Sequence, residues 1–383
     1  MHRRRRVAGL VCLIALLLLW AIGPGRSSDG SHAVSAVTGG LATGEESQRP
    51  PVAQPPIRFT VAASGDLLIH GPVFERARAL ARSGGYEFRQ MFRFVKPTIA
   101  DADLGICHLE TPLTRGQPTG YPVFAAPADL APVIKDTGWD ACTTASNHSL
   151  DRGQEGIDDT ARILDREGVA HTGSFGSQAE RDRTTMITVK GVKVALLAYT
   201  DSTNGLPLPH PYSLNRLRVG RVLADARAAR QRGARVVIVS LHWGAEYQHR
   251  PTAKQRRIAD VLTRSPQVTA LIGQHVHVVQ PMRRVNRKPV VFGEGNLLSN
   301  QSEACCPAAS QDGLIALLKV AVYDHGARVE SMRHVPTYVR QPDFTVLPVL
   351  KALEAGWANR SALRESLRRT RSAVGSESEP VAE

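Results

Sequence analysis

Polar residues able to do chemistry recur where apolar runs end. In Val61-Ala62-Ala63-Ser64-Gly65-Asp66 an apolar run closes on a carboxylate; alone, Gly65-Asp66 reads as a turn. In Leu104-Gly105-Ile106-Cys107-His108-Leu109-Glu110 an imidazole and a carboxylate stand two residues apart, so an extended chain sends both from one face. Asn147-His148-Ser149-Leu150-Asp151 follows another apolar stretch, and its plain alternative is an Asn-capped helix start. Val239-Ser240-Leu241-His242 ends on a histidine of the kind that is usually a hydrogen-bonded core residue. Gly273-Gln274-His275-Val276-His277 carries two histidines at i and i+2, which an extended segment points the same way.

Asp66, Glu110, Asn147, His242, His275 and His277 together supply hard or borderline ligands from five strand ends. A two-metal hydrolytic site needs about this inventory. One carboxylate bridges the ions, and imidazoles and an amide oxygen complete the shells. Such ions lower the pKa of a bridging water and stabilise both ends of a displacement. Rival chemistries are poorly served, since the chain has no GxSxG elbow and no Gly-rich phosphate loop ending in Gly-Lys-Ser/Thr.

The elements that must position these groups alternate. Strands are expected over 57–63, 104–107, 193–199, 235–241, 268–272, 289–292 and 314–322. Helices are expected over 130–137, 156–167, 222–231 and 252–263. This alternation predicts a layered α/β domain over 57–345. A helix over 347–371 and a frayed polar end over 376–383 make up a C-terminal segment, 346–383.

The N-terminal part has a different character. Arg3 to Arg6 precede an uncharged apolar run over 7–22, which predicts a signal peptide or short signal anchor in 1–26. The anchor is the preferred reading because no clear A-x-A pattern precedes a suitable cleavage site. Residues 27–56, rich in Ser, Gly and Pro, read as a stalk. The expected location is therefore the cell membrane, with one N-terminal span and the domain on the extracytoplasmic side. The net charge is +13, and residues 27–383 keep +8 of it, which favours anionic partners. Cys107 and Cys142 fall in apolar strands and read as buried free thiols; Cys305-Cys306 can make one bridge or none.

The order and wording of the polar blocks resemble the CapA/PgsA-type capsule (poly-γ-glutamate) synthesis proteins of the calcineurin-like metallophosphoesterase superfamily. The resemblance rests on Gly65-Asp66, on Leu109-Glu110-Thr111-Pro112-Leu113-Thr114, and on Asn147-His148 with Asp151 and Gly153. It continues through His242-Trp243-Gly244 with Glu246-Tyr247, Gly273 with His275, His277 and Gln280-Pro281, and Gly295-Asn296. It implies a four-layer α/β/β/α sandwich, two mixed sheets flanked by helices. It also implies two divalent ions (Mn, Fe or Zn). Asp66 and His277 would hold one, Asn147, His242 and His275 the other, with Glu110 between them. His148 and Asp151 would be the catalytic pair, and His108, Glu246 and Asn296 would support the ligands.

Two departures from the family pattern matter. Asp66-Leu67-Leu68 lacks the usual Asp-x-His imidazole, and His70 is too far along to replace it without a bulge. His108 stands where the family commonly has Asn, as a replacement ligand or as a donor to Glu110. The expected function is biosynthesis or export of a polyanionic capsule polymer, poly-γ-glutamate by analogy, alongside membrane synthase or export components and without nucleic acid. A general cell-envelope phosphodiesterase or phosphatase and a non-catalytic polymer-binding scaffold are the alternatives.

Overall fold

Along the strand Ile57–Leu67, Val61 and Ala63 face one apolar layer while Ala62 and Leu67 face another. A strand covered on both faces belongs in the middle of a layered fold. The computed structural model describes residues 55–382. The expected anchor over 1–26 and nearly all of the 27–56 stalk lie outside the described residues. Among the described residues no helix is long and apolar enough to cross a membrane.

Two mixed sheets form the centre. The first runs in the order Thr345–Pro348, Gly326–Arg340, Asp312–Tyr323, Ile57–Leu67, Leu104–Leu109, Ala141–Thr143, Ala170–Thr172. The short strands Asn296–Leu298 and Glu379–Pro380 join it at Ile57–Leu67 and Gly326–Arg340. The second runs Met282–Val285, Lys288–Val291, Ala270–Gln274, Val236–His242, Val192–Thr200, Thr185–Val189. Val61, Ala63, Ile106 and Ala316 of the first sheet meet Val194, Leu196, Ile238 and Ile272 of the second in one buried layer. Outside the first sheet, Leu67 and Leu109 pack on Val73, Phe74 and Ile134 from the helices Gly71–Leu80 and Leu130–Thr137. Outside the second, Leu197 and Val239 pack on Val222, Ala226 and Ile258 from Val219–Gln231 and Ala253–Arg264. The fold is a four-layer α/β/β/α sandwich.

Within each sheet the neighbouring strands that carry the polar blocks are parallel, Ile57–Leu67 with Leu104–Leu109 and Val236–His242 with Ala270–Gln274. Their carboxyl ends therefore open on the same edge, where loops in such sheets build sites. Gly65 has a local reason to be glycine: a Cβ there would sit 2.0 Å from Gly295 O, and Asp66 N donates to that carbonyl at 3.0 Å.

Several expectations need correction. Cys107 and Cys142 are not free thiols but a disulfide, because Leu104–Leu109 and Ala141–Thr143 pair with these two residues directly opposed. The helix expected over 347–371 is two helices, Val349–Ala355 and Arg360–Val374, separated by Gly356 at φ 69° and an Asn359 cap. The end expected to fray is held: Glu379–Pro380 pairs with Arg333 and His334, and the Ser378 hydroxyl meets His334 Nδ1 at 2.9 Å. His275 and His277 do not lie in an extended segment. They follow the strand Ala270–Gln274 with φ of 91° and 54°, in the left-handed region that non-glycine residues seldom adopt.

Candidate metal centre

Asp66 sits at a bulged strand end, where the register with Leu104–Leu109 shifts between Ala63 and Asp66. His108 closes the neighbouring strand and Glu110 follows it. Asn147 and His148 come from the turn after Ala141–Thr143. That turn is fixed by Ser146, whose hydroxyl donates to Glu110 O at 2.6 Å and accepts from His148 N at 3.0 Å. His242 ends the second sheet's Val236–His242, and His275 and His277 follow the adjacent strand.

These side chains converge. His242 Nε2 lies 2.8 Å from Asn147 Oδ1 and 3.8 Å from Glu110 Oε1. His277 Nε2 lies 3.8 Å from the same Glu110 oxygen, while its Nδ1 contacts Asp66 Oδ2 at 3.1 Å and Asn296 Oδ1 at 3.0 Å. His275 stacks obliquely on His242 with ring centres 4.7 Å apart. His108 contacts His242 rather than Glu110: its Nε2 is 2.9 Å from His242 Nδ1 and 3.9 Å from Asp66 Oδ1. Asp66, His108 and His242 form one group whose ligand atoms lie within 4.8 Å of one another, and Asp66, Glu110 and His277 form a second.

The electrostatics suit a cation. Asp66 and Glu110 are fully buried, yet Asp66 Oδ1 and both Glu110 carboxylate oxygens have no hydrogen-bond partner; His275 Nδ1 is also unpartnered. Buried polar atoms are otherwise paired, because an unpaired one forfeits its hydration without replacement. Burial, reinforced by Asp66, holds the Glu110 carboxyl well above the ordinary range. Burial holds His108 at about 4 and His242 well below its ordinary value, so both imidazoles are neutral and able to give a lone pair. At His277 burial acts in the same direction, but the Glu110 and Asp66 carboxylates outweigh it and raise the ring to about 9. A divalent cation fits this set of oxygen and nitrogen donors, and binding one would displace the proton that the neighbouring carboxylates hold on His277.

Beside the cluster, His148 Nδ1 lies 2.9 Å from Asp151 Oδ2. His70 is near but apart. It precedes the helix Gly71–Leu80, its Nδ1 is engaged by the backbone at Leu68 and Asn300, and burial holds it at about 4. Glu246 does not support the ligands by contact. It is exposed on the loop after Trp243 and acts only through its charge on His275, His277 and Glu110. Asn296 is in contact: its amide nitrogen donates to Gln301 Oε1 and Ser310 O, which leaves its oxygen for His277.

Sequence reasoning missed Thr143, Ser146, Gln274 and Glu294. All four are buried and belong to the hydrogen-bond network around the cluster. Their signal was a polar residue inside or beside an otherwise apolar strand.

A family model described as "Bacterial capsule synthesis protein PGA_cap" matches residues 60–301. The capsule biosynthesis protein CapA of Bacillus anthracis is 22% identical over 255 residues, covering 64% of this chain and 60% of the relative. The PGA biosynthesis protein CapA of Bacillus subtilis is 23% identical over 222 residues, covering 55% of this chain and 57% of the relative. The chain thus spans about 60% of the length of these relatives. Among solved structures, the calcineurin-like phosphoesterase YfkN of Bacillus subtilis aligns with a TM-score of 0.47 at 15% identity, over 82% of this chain and 97% of that one. With more than half its length matched by the family model, the chain belongs to the bacterial capsule synthesis PGA_cap family.

Proposed function

We propose that this chain is an extracytoplasmic protein of capsule polymer biosynthesis or export, handling a polyanion such as poly-γ-glutamate through a divalent-metal centre. The observation that carries the metal centre is that Asp66, Glu110 and His277 bring ligand atoms within 4.8 Å of one another while buried Asp66 Oδ1 and both Glu110 carboxyl oxygens have no hydrogen-bond partner. Family membership supports the polymer, and the names of the Bacillus relatives supply its chemistry. The Cys107–Cys142 disulfide supports an exported location, since such bonds persist in oxidising compartments. The apolar run over 7–22 is the proposed anchor, and membrane synthase or export components are the proposed partners.

Asp66, Glu110 and His277 would hold one ion and Glu110, Asn147, His242 and His275 another, with manganese, iron or zinc as candidates. When bound, such ions supply an activated water and a clamp on developing negative charge. The protein's own residues do the rest. Asn296 and Asp66 hold the His277 ring by Nδ1, turning Nε2 toward Glu110. Asp151 holds the proton on His148 Nδ1, leaving Nε2 to exchange a proton with a leaving group or attacking oxygen.

That oriented His148–Asp151 pair also favours a second reading, a metal-dependent phosphodiesterase or phosphatase of the envelope, because a scaffold has no need of it. Deletion of the gene with measurement of surface polymer tests the first reading: polymer falls if it holds and is unchanged if it does not. Turnover of a phosphoester panel with added Mn²⁺ by the purified chain would establish the second.

A further inference from the structure

We propose that Thr143 and His108, braced from behind by Ser240, Gln274 and Glu294, form a hydrogen-bond relay that lets His242 present a bare Nε2 to a metal ion. The proposal rests on the metal-centre reading above and assigns positioning roles to residues that touch no proposed substrate or ion.

The relay is continuous. Gln274 Nε2 donates to Glu294 Oε2 at 2.9 Å, and Ser240 Oγ donates to Gln274 Oε1 at 2.9 Å. Ser240 Oγ lies 3.3 Å from Thr143 Oγ1, Thr143 Oγ1 lies 2.8 Å from His108 Nδ1, and His108 Nε2 lies 2.9 Å from His242 Nδ1. Every member is buried, so no water can stand in for a missing partner. The path crosses between the sheets, from Gln274 and Ser240 in the second to Thr143 and His108 in the first.

Two proton orders fit these distances. In one, Thr143 donates to His108 Nδ1, His108 Nε2 donates to His242 Nδ1, and His242 Nε2 donates to Asn147 Oδ1. That order blocks His242 Nε2 with a proton. In the other, Thr143 donates to Cys107 O, His108 Nδ1 donates to Thr143, and His242 Nδ1 donates to His108 Nε2. His242 Nε2 then offers a lone pair beside Asn147 Oδ1 and Glu110 Oε1. The total charge is the same in both orders. The rear residues favour the second. With the Gln274 amide nitrogen committed to Glu294, its oxygen must accept Ser240's one proton. Ser240 then has no proton left for Thr143, whose own proton has Cys107 O as its acceptor at 3.4 Å, and the Thr143 oxygen is left to accept from His108.

The test compares the wild-type chain with Thr143→Val, Thr143→Ser and Ser240→Ala. Zinc affinity is read by chelator competition, and the ring nitrogens by NMR of ¹⁵N-histidine-labelled protein. Thr143→Val takes away the acceptor for His108 Nδ1 at nearly constant volume, and zinc binding should weaken about 10- to 100-fold. Thr143→Ser should restore it, and Ser240→Ala should give a smaller loss because Cys107 O remains as an acceptor. A through-hydrogen-bond coupling between His242 Nδ1 and His108 Nε2 is expected in the metal-free wild type. In the zinc-loaded wild type the shared proton should sit on His242, and in metal-free Thr143→Val it should sit on His108. Unchanged zinc affinity in Thr143→Val, or no coupling between the two rings, would overturn the relay. A coupling seen in a wild-type chain that takes up no zinc would leave the relay standing and remove the metal-centre reading alone.

Discussion

The His148 imidazole and the Asp151 carboxylate meet at 2.9 Å, and the same carboxylate oxygen also accepts from Phe124 N at 2.8 Å. A backbone donor fixes the acid, the acid fixes the ring, and the Phe124 ring packs edge-on against His148 with centres 4.7 Å apart. An imidazole held this firmly at Nδ1 has one nitrogen left for chemistry.

If the centre hydrolyses phosphoesters, Asp151→Asn should lower kcat by about 10²- to 10⁴-fold, the range of general acid–base assistance. Bound metal should be unchanged, because neither residue of the pair belongs to the proposed ligand set. Steady-state kinetics beside elemental analysis checks this; a parallel loss of metal would count against a purely catalytic role.

Glu110 and Asp66 are buried carboxyls, and burial and Asp66 together disfavour the charged form of Glu110 in the absence of a cation, even with His277 in contact. A divalent cation should therefore stabilise the folded chain. At a free concentration 100 times the dissociation constant the gain is about 2.7 kcal/mol. Thermal melts with and without Mn²⁺ should show a clear rise in Tm, absent in Glu110→Gln. A wild-type Tm indifferent to Mn²⁺ and Zn²⁺ would contradict the prediction.

Glu294 gives a pH dependence of known sign. Burial raises its carboxyl from 4.5 to about 8, so between these values the folded state holds a proton that the unfolded state has released. Stability from this group therefore falls as pH rises, by at most about 1.4 kcal/mol per pH unit. Glu294→Gln keeps an oxygen for Gln274 and should flatten that slope, gaining on the wild type most above pH 8. Denaturant melts from pH 5 to 9 check it, and parallel slopes for the two proteins would refute it.

The disulfide links the stability of the fold to the metal centre. Cys107 and Cys142 close a loop 35 residues apart, for which chain entropy gives about 3–4 kcal/mol. The Cys107→Ala/Cys142→Ala variant should melt at lower temperature by that measure. Since Cys107 precedes His108 and its carbonyl faces Thr143, metal affinity should weaken as well.

The strand and helix alternation was legible because both sheets are buried on two faces and leave long aliphatic runs such as 192–200 and 236–242. The clustering of Asp66, Glu110, Asn147, His242 and His277 was foreshadowed by motif order, since parallel neighbours bring successive strand ends to one edge. What stayed hidden depends on register and on single backbone angles. The Cys107–Cys142 bond requires knowing that these two strands pair opposite each other. The bend of His275 and His277 requires positive φ that no side-chain pattern announces. Whether His108 faces Glu110 or His242 turns on the contact between sheets, and a local pattern carries no information about that.

The most direct test of the central claim is the metal content of the chain, purified without affinity metals and measured by elemental mass spectrometry beside a His275→Ala/His277→Ala variant. The account predicts about two equivalents of manganese, iron or zinc in the wild type, falling in the variant. No bound metal, and no uptake when Mn²⁺ or Zn²⁺ is offered, would contradict it and leave a fold kept for binding polymer alone.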